Sequence, residues 1–546
     1  MRFRAPLTAA LLVALLPSPA AAYHEQIHEL FPERALAGEP ALKSEQLNAV
    51  TEEELAAFRR YVDGLFRAHP DEKVRAEYVR RWPTPESFDS VAFKTLLGLN
   101  ERRALNGFDK TEGLPGTALQ AIQKGSSQPD SDWRNRERLA HGPDGQPLKL
   151  VDGREVPLDP LVLNMGNATG LSSQAHAHYG LADVQLSSDA DVLKTDPRRF
   201  ALAAGWPAGP VRTFAREYGQ AHYDLAVLAM LSGTPSGRAL SRLFFGQSLH
   251  YLGDVGNQIH TVQVGFYDFF FTAKMETWGH SLKTLGGYLG ELRPFTKVGI
   301  DILTNHHVVS EELNHKRLRE ALAGKPVPEP IQAALAALGQ DDAQFKSDLE
   351  MALARMVAKE KPEAGGRLPI ATLIIGRLID FSSREGGEVY RHMAGAMHPR
   401  MSRYGVTYDP EKEDPDTVLG DLSDPTVKAH LESLYWLQAK AFARVGGAIR
   451  LLYARLQKDV EVAEDKRMAT AQTFANSLLR ERLAELKGQE ERLAAYLKDP
   501  PPQGAKTVKE PAWLVGPLAT PVVLATGVVA VVRRGRRKRD EERAEG

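Results

Sequence analysis

The stretch Phe244-Phe-Gly-Gln-Ser-Leu-His250-Tyr-Leu-Gly-Asp254-Val-Gly-Asn-Gln-Ile-His260 combines helix-like apolar spacing with side chains that can bind a metal ion. His250 and Asp254 stand four residues apart, so on a helix both project from one face and can bind the same ion. His260 comes ten residues after His250, which corresponds to ~15 Å along a continuous helix. Without a sharp bend, His260 therefore serves a second ion.

The composition restricts the ligands available to such an ion. The chain of 546 residues contains no cysteine and 16 histidines. Disulfides, thiolate metal sites and cysteine nucleophiles are therefore excluded, and any metal must be held by nitrogen and oxygen atoms. The formal net charge of -1 gives no reason to expect a nucleic-acid partner.

Further clusters of nitrogen and oxygen ligands are distributed along the chain. In Asn305-His306-His307-Val-Val-Ser-Glu311, the spacing puts His307 and Glu311 on one helical face. The others are Tyr23-His24-Glu25-Gln26-Ile27-His28, the turn-like Gly125-Ser-Ser-Gln-Pro129-Asp130-Ser-Asp132, and Gln174-Ala-His176-Ala-His178-Tyr179. Zinc is commonly bound by such sets of imidazoles and carboxylates.

The two ends of the chain predict export and a membrane anchor. Residues 1–22 read as a signal peptide, whose removal would make Tyr23 the mature N-terminus. Residues 512–532 form an apolar stretch long enough for one transmembrane helix, and the basic tail 533–546 predicts that its C-terminal end is cytoplasmic. The expected location is periplasmic or at the cell surface, anchored by this segment. A sorting segment that is cut off after export has the same layout and remains an alternative.

The chain between these ends predicts an all-α fold. Helical periodicity is found at Thr51 to Ala68, Phe214 to Leu231, Leu243 to Leu252 and Val427 to Lys498, whose later part reads as a long exposed helix. The expected organisation is a multi-helix domain at 23–400, a helical extension at 401–498 and a polar linker at 499–511.

His250-Tyr-x-Gly-Asp254 with His260 resembles the signature of the bacterial zinc-dependent phospholipases C. Gly125-Ser-x-x-Pro-Asp130-x-Asp132 resembles the stretch that supplies an aspartate ligand in that family, and His307-Val-x-x-Glu311 resembles its late histidine–glutamate pair. The resemblance extends in islands from about residue 23 to 320. It implies an all-helical domain with three zinc ions, one of them bound by the mature N-terminal residue.

Carried over by position, the resemblance implies three zinc sites. Their ligands would be Asp130, His178, His250 and Asp254 for the first ion; the Tyr23 backbone, His28 and a bridging Asp254 for the second; and His260, His307 and Glu311 for the third. His178 is preferred to His176 because an aromatic residue follows it, and His28 to His24 because the chain must loop back from Tyr23. Gln258 stands where the family has proline.

The same resemblance implies hydrolysis of a phosphodiester, most directly phospholipase C cleavage of a phospholipid into diacylglycerol and a phosphorylated head group. Asp130 is then the candidate general base for the attacking water. One alternative is a 3'-nuclease or nucleotidase of the same fold. Another is a non-catalytic, anchored envelope protein with a structural metal site.

Overall fold

The computed structural model of the protein describes residues 25–48, 50–97, 116–131, 146, 148–151, 153, 156, 180, 215–234, 236–261, 295–359, 366–402, 408–410 and 412–498. These residues form helices and connecting turns, with isolated bridges between Gln46 and Thr117 and between Met397 and Leu419 instead of sheets. The all-α expectation is confirmed for this part of the chain.

The described helices are α1 Glu25–Ala35, α2 Pro40–Ser44, α3 Glu52–Arg67, α4 Glu72–Arg81, α5 Ser90–Leu97, α6 Ala118–Ser131, α7 Ala215–Leu231, α8 Gly237–Gly256, α9 Phe295–Leu322, α10 Glu329–Ala337, α11 Ala343–Lys359, α12 Ile370–Ala396, α13 Pro399–Ser402, α14 Pro425–Val460 and α15 Glu464–Lys498. Short 3-10 turns occur at Pro85–Ser87, Gln258–His260 and Pro415–Val418.

Local sequence signals explain where several helices begin. Thr51 caps α3: its hydroxyl accepts a hydrogen bond from the Glu54 amide at 3.2 Å, and the Glu54 carboxylate accepts one from the Thr51 amide at 2.9 Å. This reciprocal pair satisfies two of the amides that the first turn leaves without a helical partner. Asp71 and Asp424 cap α4 and α14 in the simpler way, by accepting from nearby backbone amides.

The centre of the molecule is formed by α7 and α8, which are buried along almost their whole length. Both are hydrophobic on more than one face, as expected of a helix surrounded by others. Helix α6 packs against α8, α12 packs against both α7 and α8, and α1 crosses α8 near its C-terminal end. The metal-ligand candidates of α8 consequently lie in the interior of the helical assembly.

Helices α14 and α15, which the sequence placed in an extension after residue 400, contribute to the same hydrophobic core. The ring of Phe442 on α14 meets Phe31 on α1 edge to face at 5.1 Å between centroids. On α15, Phe474 and Leu478 are buried. The sequence predicted a long exposed helix here, whereas one face of α15 is packed.

The transmembrane part of the expected fold class needs correction. No helix that the structure describes has both the length and the apolar run that a bilayer crossing needs. The candidate segment 512–532 lies outside the described residues, because the described chain ends at residue 498. The fold class supported by the structure is therefore all-α, without a membrane-spanning helix in its described part.

Other expectations also fall outside the described residues. These are the signal peptide 1–22, Tyr23, His178, the linker 499–511 and the basic tail 533–546. They remain predictions from the sequence.

Candidate metal centre

Helix α8 places His250 and Asp254 on one face, as their spacing predicted. The His250 Nε2 atom lies 3.2 Å from Asp254 Oδ2, and both side chains are fully buried. Helix α8 ends at Gly256, immediately after this pair. The two side chains therefore occupy the last turns of a buried helix.

His28 joins this pair from α1. Its Nε2 atom lies 3.4 Å from Asp254 Oδ1, so the two carboxylate oxygens of Asp254 face two different imidazoles. The rings of His28 and His250 are 4.1 Å apart between centroids. Among the described residues, His28, His250 and Asp254 form the one group whose potential ligand atoms all lie within 4.8 Å of one another.

A close approach between α6 and α8 orients His250. A Cβ atom added to Gly246 would lie 2.2 Å from the Ile122 carbonyl oxygen, and one added to Gly125 would lie 2.3 Å from the Leu243 oxygen. Glycine at both positions lets the two helix backbones touch. The Ser126 carbonyl oxygen consequently reaches His250 Nδ1 at 2.8 Å.

This hydrogen bond determines which nitrogen of His250 is available. Since a carbonyl only accepts, Nδ1 carries a proton, and Nε2 is the nitrogen that faces Asp254, where it can bind a proton or a metal ion. A histidine that donates its second N–H to a backbone carbonyl is the usual arrangement around a bound metal. Ser126 also acts on α1, because its hydroxyl donates to the His28 carbonyl oxygen at 2.8 Å.

The donor set fits a zinc ion. Zinc binds imidazole nitrogen and carboxylate oxygen at ~2.0–2.2 Å, so two atoms on one ion lie at most ~4.4 Å apart. The separations of 3.2 Å and 3.4 Å fall within this limit. A buried carboxylate also requires a compensating positive charge, which a divalent cation supplies.

A second group forms where α8 ends and the chain bends. The 3-10 turn Gln258–His260 directs His260 Nε2 to Glu311 Oε1 on α9, at 3.1 Å. The Asn257 side-chain amide donates to the same oxygen at 3.3 Å. Helix α8 therefore ends before His260, and the His260 ring contacts Glu311 on α9.

Tyr390 on α12 belongs to the surroundings of Glu311, and no sequence signal pointed to it. Burial, together with the negative charge of Glu311, raises the pKa of the Tyr390 phenol above its ordinary value. Its ring lies 5.9 Å from the ring of His306, which is fully buried. Tyr390 therefore stays protonated near neutral pH.

The remaining site predictions can be located only in part. Asp130 lies on α6, one turn after Ser126, although the sequence suggested a turn-like segment there; Pro129 is tolerated inside the last turn of that helix. His307 lies on α9, one turn before Glu311. Tyr23 and His178 are outside the described residues, but the amide of Gly180, two residues after His178, donates to the His260 carbonyl oxygen at 3.2 Å.

Gln258 shows what replaces the proline expected at this position. Its side-chain amide donates to the Leu437 carbonyl oxygen on α14 at 3.1 Å and to Glu385 on α12 at 3.3 Å. These bonds attach the turn before His260 to two neighbouring helices. Gln258 therefore has a structural role in holding the bend.

No protein-family model, curated protein or solved structure matches the chain.

Proposed function

We propose that the protein is a zinc-dependent phosphodiester hydrolase, and that phospholipids are its first substrate class, as in a phospholipase C. The observation that carries the proposal is the position of Asp254. Each of its oxygens faces a different imidazole, at 3.4 Å for His28 and 3.2 Å for His250. A carboxylate in this arrangement suits the bridge between two ions that the sequence resemblance implies.

The ligands proposed for three ions are Tyr23, His28, Asp130, His178, His250, Asp254, His260, His307 and Glu311. When bound, zinc polarises phosphoryl oxygens and lowers the pKa of a water molecule, so that hydroxide is present near neutral pH. Asp130 is proposed to accept the proton of the attacking water. The Ser126 carbonyl keeps His250 in the tautomer that presents Nε2.

The decisive experiment compares substrates on one zinc-loaded preparation of the mature protein, which begins at Tyr23. Phosphatidylcholine vesicles, single-stranded DNA and a 3'-nucleotide are incubated in parallel, and bound zinc is counted on the same sample. Release of phosphocholine that stops with a chelator and returns with zinc is the expected result. Cleavage of DNA or the nucleotide alone would replace the phospholipase proposal by the 3'-nuclease alternative.

One observation favours a second candidate, a purely structural zinc site. His28, His250 and Asp254 are all fully buried, and structural zinc sites are closed whereas catalytic sites keep a position open to water or substrate. The same experiment separates the two: stoichiometric zinc without hydrolysis of any of the substrates identifies the structural site.

A further inference from the structure

A second pair of histidines lies away from the buried centre, between α12 and α14. The Nδ1 atoms of His392 and His430 are 3.0 Å apart, and their ring planes are inclined at 58°. Both residues are half-buried, so solvent reaches them. The pair joins two long helices that pack against each other in the core.

Gly395 provides the space for this approach. It lies on α12, almost one turn after His392, and a Cβ atom there would be 2.3 Å from Cδ2 of His430. Real side chains do not approach so closely, so any larger residue would displace the His430 ring. The absence of a side chain at Gly395 therefore leaves the space that the His430 ring occupies beside His392.

The separation of the two nitrogens matches the geometry of a chelate. With Zn–N bonds of ~2.0–2.1 Å, two imidazoles on one ion place their nitrogens ~2.9 Å apart at a right angle and ~3.3 Å apart at the tetrahedral angle. The 3.0 Å between the Nδ1 atoms lies within that range. A hydrogen bond between two neutral rings has a similar length, so geometry permits either state and binding must be measured.

Metal binding requires a neutral imidazole, and the surroundings of His392 favour that form. Burial, with the nearby His430 and Arg391, lowers the pKa of His392, and Glu388 opposes them. A neutral His392 can carry its proton on Nε2, and its Nδ1 lone pair is then available to a metal ion.

We propose that His392 and His430 chelate a divalent transition-metal ion through their Nδ1 atoms, and that this ion clamps α12 to α14. Imidazole pairs suit zinc, copper and nickel, and water completes the coordination. The site is independent of His28, His250 and Asp254, and it does not require that the protein be an enzyme. Its function is to stabilise the packing of the two helices.

The test counts zinc bound by the full chain after dialysis at a fixed free zinc concentration. His392→Ala and His430→Ala should each bind one ion fewer than the wild type, because removal of one imidazole from a two-ligand chelate weakens binding by about a hundredfold. The difference of one ion is expected whether or not the buried centre also binds zinc. Failure of the proposed hydrolase therefore does not affect the outcome.

Gly395→Ala supplies a variant that keeps both histidines. It should lose the same ion, because the new methyl group displaces His430. The matched control is Gly376→Ala on the same helix, where an added Cβ has ordinary contact with Arg216 at 3.6 Å and zinc binding should be unchanged. Both substitutions replace a helical glycine by alanine, so helix propensity affects them similarly.

Thermal unfolding gives a second readout. Added zinc should raise the Tm of the wild type and of Gly376→Ala more than that of either histidine variant. If both histidine variants bind as many zinc ions as the wild type and show the same zinc-dependent Tm, the proposal is overturned and the pair is only a hydrogen bond.

Discussion

Two fully buried aspartates of this protein have opposite surroundings. Asp224 on α7 is paired with a permanent cation: Arg367 Nε donates to its Oδ1 at 2.7 Å, and a second guanidinium nitrogen binds its Oδ2. Asp254 on α8 faces two imidazoles, whose charge depends on a proton. The first carboxylate is compensated by the protein itself, whereas the second is suited to receive a metal ion.

The pKa values of Asp224 and Arg367 reflect the pairing of this aspartate with a permanent cation. Burial raises the pKa of Asp224 to about 6, against the attraction of Arg367. Burial by itself lowers the pKa of Arg367, but Asp224 and Glu481 outweigh it and raise that pKa above its usual value. Arg367 therefore stays charged at neutral pH, and the Asp224 network needs no added ion.

Removal of the permanent cation should have the largest effect. Arg367→Leu leaves Asp224 buried without its charge partner, and we expect the free energy of unfolding to fall by ~3–5 kcal/mol. Urea unfolding at pH 7 measures this. In the control Glu481→Gln, the altered carboxylate is 49% exposed, so a loss of at most ~1 kcal/mol is expected. Equal losses would show that the burial of Asp224 is not what makes Arg367 important.

The next largest effect concerns the metal centre. Asp254→Asn keeps the side-chain shape but removes its charge, and we expect zinc affinity and phosphodiester hydrolysis to fall by about a hundredfold or more, since even outer partners of ligands contribute ~10–100-fold. The matched variant Asp224→Asn should lose stability but keep its zinc. Zinc counting and hydrolysis assays on both variants measure the contrast. Full zinc content in Asp254→Asn would contradict the proposed bridge.

The free energy of unfolding should depend on pH through Asp224. The pKa of Asp224 is raised in the folded protein from 3.8 to about 6, so the folded state binds more protons than the unfolded state between these values. The stability contributed by this group is full below pH 3.8 and is lost as the pH rises through 6. The expected change is about 3 kcal/mol, since the pKa rises by about two units and each unit corresponds to ~1.4 kcal/mol.

Unfolding of the wild type and of Asp224→Asn by urea, at steps from pH 4 to 7, tests this expectation. The advantage of the wild type over the variant should shrink as the pH rises. A constant difference over this range would mean that Asp224 stays ionised throughout.

The smallest effect is expected from the hydroxyl that joins α6 to α1. Ser126→Ala removes the bond to the His28 carbonyl oxygen, and we expect a loss of ~0.5–1.5 kcal/mol with a measurable decrease in zinc affinity. Ser127→Ala is its control, because the Ser127 hydroxyl also reaches α1 but binds the Glu29 carboxylate at 2.7 Å. It should lose similar stability without changing zinc affinity. Equal zinc affinities in the two variants would show that the Ser126 hydroxyl does not position His28 for zinc binding.

Much of the helical architecture could be predicted from local sequence. The periodicity at 51–68 and 214–231 corresponds to α3 and α7, because amphipathic spacing and capping residues act within a few positions. The long stretch 427–498 was harder to interpret, since it is divided into α14 and α15 and its packing depends on distant helices. Composition and spacing carry no direct information on which surface of such a helix is covered.

The sequence by itself determined that His250 and Asp254 share a helical face, because a spacing of four residues produces this on any α-helix. It also indicated that His260 could not share the ion of His250 without a sharp bend. Tertiary structure decided which partners they meet: His28 reaches Asp254 because α1 crosses α8, and the Ser126 carbonyl reaches His250 because two glycines bring α6 against the same helix. Contacts between residues more than a hundred positions apart depend on the packing of the whole core, which no local pattern in the sequence specifies.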